Sequence, residues 1–401
     1  MFNQLRMTAW SAGMRGKLRV PLRIELWNGQ RFDFSTDAPR VTIHVPDPAA
    51  LRYLLSPTLY NLGKAYVEGA IGVSGRANDM IAIVNALAAH STQPRGRWRR
   101  VARALVHTRA LDAAAVRYHY DVSNEFYAAW LDPAMVYSCA YFENGDETLA
   151  QAQEKKIDHI LRKIDLRPGQ ELLDIGCGWG ALVIRAARDY GARCIGITLS
   201  EKQADMARAQ VQRAGLRNKV EIRVQDYRDV SGQFDRITSV GMFEHVGTSH
   251  LTAYFRKVNN LLTPDGVAMN HGITTTDVDS REAPYGGGEF IQHYVFPHGE
   301  LVHLGGVLRA MQEAGLEARD VENLRRHYAR TCALWTENFE ANSERIGQLT
   351  DGKRFRIWHV YLAGCSYAFS HDWISVYQIV CGKAGRDPSG IPWSRRFMYA
   401  Q

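Results

Sequence analysis

Apolar positions change their period as the chain is read from residue 149 to 270. Ile157, Ile160, Leu161 and Ile164 recur at helical spacing, which predicts an amphipathic helix over Leu149–Ile164 that stops before Pro168-Gly169. Glu171-Leu172-Leu173-Asp174-Ile175 is instead a short apolar run of the kind that forms a buried strand. A helix is then expected from Ala181 to Tyr190, and strands at Cys194–Leu199, Val220–Val224, Phe234–Val240 and Gly266–Asn270. Ser200 is placed to cap the helix after the second of these strands, because its hydroxyl can accept from a free first-turn amide. Strands that alternate with helices predict an α/β fold with a largely parallel sheet, and a ligand at the carboxyl ends of its strands.

The flanks read differently. Leu22–Leu26 and Arg40–Val45 look like strands, Trp27-Asn28-Gly29-Gln30 like the turn between strands, and Asp79 like the cap of a helix through Met80–Val84. We therefore expect a small α+β domain over residues 1–93, a basic linker helix over 94–115 that begins in Pro94-Arg95-Gly96-Arg97, and a larger domain over 116–401. Thr274–His298 is irregular and rich in glycine, and a lid-like insertion is expected over about residues 274–345. Glu322–Tyr377 is rich in aromatics and mostly helical in pattern.

Charge adds one element to this picture. Over 401 residues Lys plus Arg outnumber Asp plus Glu by 49 to 42, which suits an anionic partner. On a helical wheel, Trp98, Val101, Ala102 and Leu105 share one face and Arg99, Arg100, Arg103 and His107 the other, as on a helix lying at a membrane surface. A connecting helix with solvated arginines would show the same pattern. The six cysteines lack any Cys-x-x-Cys pairing and read as reduced thiols, with no metal site. No apolar run is long enough to cross a bilayer, and residues 1–20 do not resemble a signal peptide, so a cytoplasmic location is expected.

The residues with most chemical content follow the first strand of the large domain. Asp174-Ile175-Gly176-Cys177-Gly178-Trp179-Gly180 turns a strand into a helix through three glycines, whose missing Cβ lets the backbone approach a nucleotide-like ligand. The dinucleotide pattern is Gly-x-Gly-x-x-Gly; here the third glycine comes one residue early. That spacing resembles the cofactor loop of Rossmann-like methyltransferases, which bind S-adenosylmethionine. By the loop alone, a dinucleotide site or a plain strand–helix turn stays open.

Further stretches stand in one order along the chain: His119–Tyr127, Tyr137-Ser138-Cys139-Ala140-Tyr141-Phe142, Thr198-Leu199-Ser200 with Gln203, Gly241-Met242-Phe243-Glu244-His245-Val246-Gly247, His271-Gly272-Ile273, and His327-Tyr328 with Thr331. Together with the glycine loop they resemble the cyclopropane fatty acid synthases and the related mycolic acid methyltransferases over roughly residues 115–385. Residues 1–95 resemble the extra N-terminal domain of the bacterial enzymes. The resemblance implies transfer of a methyl group from S-adenosylmethionine to the cis double bond of an unsaturated phospholipid acyl chain. The carbocation so formed is deprotonated by a bound bicarbonate, and a cyclopropane closes. An alkene is a weak nucleophile, so the donor must be held close and in line, and water must be kept from the cation.

Carried over position by position, the bicarbonate would meet Cys139, Glu244, His271, the backbone of Ile273, and Tyr328. The donor would lie against Tyr137 and Ser138, against Asp174, Gly176, Cys177, Gly178 and Gly180, and against Thr198, Leu199 and Gln203. Asp226, Tyr227, Arg228 and Gly241 complete that set, and Tyr141, Phe142 and Phe243 could face the cation. Cys365 matches a family cysteine, though nothing near it in sequence would activate the thiol. Taken alone, Tyr141 and Phe142 would more often be core, Glu244-His245 a capped helix start and His271 a satisfied core histidine. An anionic lipid surface is the implied partner, with peripheral attachment to the inner face of the membrane, and a homodimer is left open. A methylene- or methyl-branched product would come from the same chemistry. A nucleic-acid methyltransferase would need a polar-Pro-Pro-aromatic motif or a Pro-Cys nucleophile, and neither occurs.

Overall fold

The computed structural model describes residues 20–89, 122–280, 287–296, 299–387 and 391–399, with a few positions before residue 20. The Trp98–His107 stretch, the 94–115 linker and His119–Asp121 lie outside the described residues. The chain divides into two compact units, one made of residues 1–101, 282–297 and 332–371, the other of 102–281, 298–331 and 372–401.

The first unit is built on a four-stranded sheet. Its strands are β1 (Leu22–Leu26), β2 (Arg31–Asp33), β3 (Val41–Val45) and β4 (Gly72–Ser74), in spatial order β2-β1-β3-β4. Leu22, Ile24 and Leu26 on β1, and Val41, Ile43 and Val45 on β3, alternate with half-exposed residues and turn one face to the core. Leu62 and Ala65 of the helix Leu59–Val67 and Met80, Ile83 and Leu87 of the helix Ala77–Ala89 belong to the same core. The cap expected from Asp79 comes from far along the chain: the carboxylate of Glu340 accepts the Ala77 N–H at 2.7 Å, and Asp79 pairs with Arg40 within the helix's first turn. The helices Gly287–Tyr294, Ser343–Leu349 and Gly352–Ser370 also belong to this unit. Phe290 packs over Gly63, and Arg356 donates to the carbonyl of Val67.

The second unit holds the expected α/β sheet, with seven strands: β5 (Glu171–Ile175), β6 (Arg193–Thr198), β7 (Val220–Val224), β8 (Phe234–Val240), β9 (Leu262–Thr275), β10 (Leu316–Asn323) and β11 (Ile374–Lys383), in the order β10-β11-β9-β8-β5-β6-β7. The five strands from β9 to β7 are parallel, and β11 and β10 add to one edge antiparallel. The helices Leu149–Lys163, Ala181–Asp189 and Glu201–Arg213 cover one face; Leu251–Leu261 and Leu304–Glu313 cover the other. The amphipathic helix starts at a capping box in which Thr148 and Gln151 satisfy each other's amides.

Two expectations needed correction. β9 extends well beyond the expected Gly266–Asn270 at both ends, while the Glu322–Tyr377 stretch is mostly helical as expected, with only its end residues in β10 and β11. The irregular stretch after the fifth strand contains a helix, Gly287–Tyr294. Pairing along a neighbouring strand outweighed local pattern in the first case, and apolar packing against Leu59–Val67 did in the second.

Candidate active site

Strand order reverses at β5, whose neighbours are β6 on one side and β8 on the other, so a crevice is expected at their carboxyl ends. The glycine loop leaves β5 there. Gly176, Gly178 and Gly180 have φ of +85°, +53° and +89°, values that side chains with a Cβ rarely adopt. The amides of Gly176 and Cys177 both donate to the carbonyl of Ile197 at 2.9 Å, which folds the loop back across β6. No side chain caps the helix that follows, so its first amides stay free for a ligand. Cys177 is buried, and its Sγ lies 3.0 Å from where a Cβ on Gly196 would stand, so that strand position must be glycine. Asp174 is buried and accepts from Thr238 Oγ1 at 2.8 Å, and burial raises its carboxyl to about 6.

The neighbouring strand ends supply the other positions read from the sequence. Thr198 Oγ1 donates to Gln203 Oε1 at 2.9 Å, and Ser200 caps the helix that carries Gln203, as expected; Leu199 between them is partly exposed. Asp226 is engaged within its own turn, accepting from the backbone and guanidinium of Arg228 at 2.9 and 2.7 Å. Tyr227 stands edge-on to Tyr254. Gly241, at the end of β8, donates its N–H to the carbonyl of His271 at 2.7 Å. Tyr137 packs among Tyr127 and Trp130. Ser138 is held twice: its carbonyl accepts from Gln153 Nε2 at 2.9 Å and its hydroxyl from Lys156 Nζ at 2.7 Å.

A short 3-10 turn after β8 carries Glu244. Its Oε1 accepts the N–H of Ile273 at 2.7 Å, while its Oε2 is buried with no partner among the described residues. Burial raises this carboxyl to about 7. Two residues before Ile273 on β9, and so on the same face of the strand, His271 is 2% exposed and its Nε2 is also buried without a partner among the described residues. Burial, with Lys156 and Lys163 adding to it, lowers this imidazole to about 3, so it is neutral at physiological pH. Gly272, between them, faces the other layer. A Cβ there would run into the ring of Phe243, so this aromatic lies across the strand from His271.

Strand register brings the remaining residues to the same edge. Ile273 pairs with Val376 on β11, and the Val376 carbonyl accepts from Leu324, which leads into the helix Arg325–Ala341. Tyr328 lies in the first turn of that helix, half-buried. Cys139 Sγ lies 3.8 Å from the Leu324 carbonyl, the Ala140 amide donates to Thr331 Oγ1 at 3.1 Å, and the Phe142 amide donates to His327 Nδ1 at 3.0 Å. The Cys139–Phe142 segment is thereby sewn to the turn that carries Tyr328. Burial pushes the Cys139 thiol far up, so it is not a nucleophile. Tyr141 is stacked between His159 and His327. Cys365 belongs to the other unit, in the helix Gly352–Ser370, and burial pushes its thiol up to about 12.

Two residues at this edge escaped the sequence reading. Lys156 sits on the amphipathic helix and is 2% exposed. Gln378 lies on the unforeseen β11; the β-branched residues Ile374, Val376, Ile379 and Val380 were the available signal. Trp179 donates its indole N–H to Asn124 at 2.8 Å, tying the glycine loop to the Asn124–Ala128 helix.

Comparison with known proteins bears on this arrangement. Residues 107–379 match the family described as mycolic acid cyclopropane synthetase, and residues 9–94 match a domain of unknown function. A probable fatty acid methyltransferase of Pseudomonas putida is 46% identical over 390 residues, covering 95% of this chain and 97% of that protein. The cyclopropane-fatty-acyl-phospholipid synthase of Escherichia coli K12 is 37% identical over 262 residues, covering 65% of this chain and 66% of that one. Among solved structures, the mycolic acid cyclopropane synthase CmaA1 complexed with SAH and CTAB superposes with a TM-score of 0.64 at 35% identity, over 68% of this chain and 98% of its own.

Proposed function

The chain belongs to the mycolic acid cyclopropane synthetase family, whose members are S-adenosylmethionine-dependent methyltransferases, and from that premise we propose that it methylates the cis double bond of unsaturated acyl chains in membrane phospholipid, with a cyclopropane as product. The observation that carries the reading is the pair of buried orphan atoms, Glu244 Oε2 and His271 Nε2, one on a carboxylate bound to the Ile273 amide and the other two residues earlier on the same strand. Unsatisfied buried polar atoms are costly, and two together fit a small polar ligand. A bicarbonate suits them: the neutral His271 would donate to one of its oxygens, Glu244 would accept its hydroxyl, and Tyr328 would bound the site. When bound, the ion would supply the base for the proton that ring closure releases.

The chain's own contribution is placement and dryness. The free amides at the start of Ala181–Asp189, the glycine loop and Ser138 suit the amino acid tail of the donor, and Thr198 with Gln203 suits its nucleoside. Burial keeps His271 neutral and holds Glu244 near the middle of its titration at neutral pH. Such a site excludes the water that would otherwise trap a cation as an alcohol. Among the described residues no helix is long and apolar enough to cross a membrane. Access to lipid on this reading is from the surface, with arginines 97, 99, 100 and 103 as the anionic-lipid contact.

The name of the Pseudomonas putida relative, a fatty acid methyltransferase, favours a second reading with a methyl- or methylene-branched product. One experiment separates them. The protein is incubated with S-adenosylmethionine and unsaturated phospholipid vesicles, and the acyl chains are analysed by mass spectrometry and proton NMR. A gain of one CH₂ with loss of olefinic protons gives the ring; the same gain with an alkene retained gives the branched chain. Vesicles left unchanged, with bases of added RNA or DNA methylated instead, would overturn both.

A further inference from the structure

The register of β9 and β11 sets Gln378 directly opposite His271, so the two side chains share a face of the sheet. Gln378 is fully buried, and its amide Nε2 lies 3.3 Å from His271 Nδ1. Its neighbours on β11 (Val376, Ile379, Val380 and Cys381) are apolar and buried. A primary amide among them, with its Oε1 left unpartnered, has no packing reason to be there.

An amide nitrogen can only donate. Next to it, His271 Nδ1 must accept, and a neutral imidazole that accepts at one nitrogen carries its proton on the other. We infer that Gln378 is a positioning residue that locks His271 in the Nε2–H tautomer, and so fixes the nitrogen that faces the site as a hydrogen-bond donor. This rests on the reading of His271 as a ligand to a small oxygen anion; the tautomer itself is a separate fact. Around the ring, burial is the largest influence against a second proton, Lys156, Lys163 and His159 of the Leu149–Lys163 helix add to it, and only Glu322 of β10 favours one. The ring is therefore neutral, and only its tautomer is left to be set. A glutamate in place of Gln378 would accept and draw the proton to Nδ1, and a leucine would leave the choice open.

The test is ¹⁵N NMR of the full chain labelled at histidine, with the His271 signals assigned by their loss in His271→Gln. The wild type should show a protonated Nε2 and a pyridine-like Nδ1. Gln378→Glu should reverse the two signals, and Gln378→Leu should average them. In turnover assays, Gln378→Leu should need roughly tenfold more bicarbonate, the factor one ordinary hydrogen bond can set, with the KM for S-adenosylmethionine within twofold of wild type. Should Gln378→Leu fail to fold, the wild-type spectrum and Gln378→Glu still decide. A proton on Nδ1 in the wild type, or ring signals indifferent to residue 378, overturns the inference. A wild-type enzyme with the expected tautomer but no response to bicarbonate would instead overturn the reading of the anion site.

Discussion

Glu244→Gln tests whether the acid at the sheet edge is as strained as its surroundings imply. A glutamate titrates near 4.5 in the unfolded chain and near 7 here, because burial penalises the ionised form. A carboxyl raised on folding stabilises the fold below its unfolded value, and that stability is lost as pH rises through the folded one. The difference of two and a half units corresponds to about 3 kcal/mol, of which roughly 2–3 falls between pH 5 and pH 8. The substituted amide could still accept the Ile273 N–H but could not ionise. Relative to wild type, the variant should therefore gain about 2–3 kcal/mol between pH 5 and pH 8, whatever fixed offset the amide brings. Urea unfolding of the ligand-free protein at a series of pH values reads this directly. Turnover should fall by roughly 10²-fold or more, in the range for loss of an acid–base group, with donor affinity nearly unchanged. Parallel stability curves for the two proteins would refute the buried-acid argument, and equal losses in turnover and donor binding would refute the assignment of Glu244 to the base.

Three other substitutions probe the supporting structure. Gly272→Ala would drive a Cβ into the ring of Phe243, next to Glu244; a loss of about 1–3 kcal/mol is expected, with partial recovery on adding Phe243→Leu, both read by thermal melting. Lys156→Met removes an ammonium that burial has pushed down to about 8. A depressed lysine weakens the fold while charged, so the variant should be more stable by about 2–3 kcal/mol below pH 8, with the gain shrinking up to pH 10.5, and the KM for the methyl donor should rise severalfold as Ser138 loses its donor. Cys365→Ala should keep turnover within twofold, because a thiol near 12 is hardly ionised at pH 7; a tenfold loss would place this cysteine in the reaction.

The parallel strands and the glycine loop were legible because their signals are local. An apolar run closed by Asp174-x-Gly-x-Gly-x-Gly specifies its own turn, and Ser200 announces its own helix. Glu244, His271 and Tyr328 were proposed through resemblance, since nothing in their immediate sequence separates a ligand from a cap or a core histidine. Gln378 and β11 were missed because the evidence for them is non-local: an antiparallel strand that returns to pair with β9 from about a hundred residues away leaves only a short β-branched run. Lys156 was missed for the opposite reason. Its spacing was read correctly, but a lysine on an amphipathic helix is assigned to solvent by default, and only the fold shows that Ser138 waits for it in the core.

The charges on this face also explain why a neutral histidine and a half-titrated carboxyl group stand near each other. The helix Leu149–Lys163 turns Lys156, His159 and Lys163 inward, at spacings that keep them on one side. Lys163 is neutralised by Asp320 at 2.9 Å and Glu322 at 2.6 Å, and His159 meets Glu322 at 2.7 Å. Lys156 has no carboxylate within ion-pair distance among the described residues; its charge reaches His271 and Asp174 only through space. A cation left in that state favours either its own deprotonation or the arrival of an anion. The fold leaves its negative groups nearby unable to answer cheaply, with Asp174 raised to about 6 and Glu244 to about 7 by burial. An anionic ligand at the edge of β9 would therefore meet a field already biased in its favour, and the stability given up to bury Lys156 and Glu244 is what creates that bias.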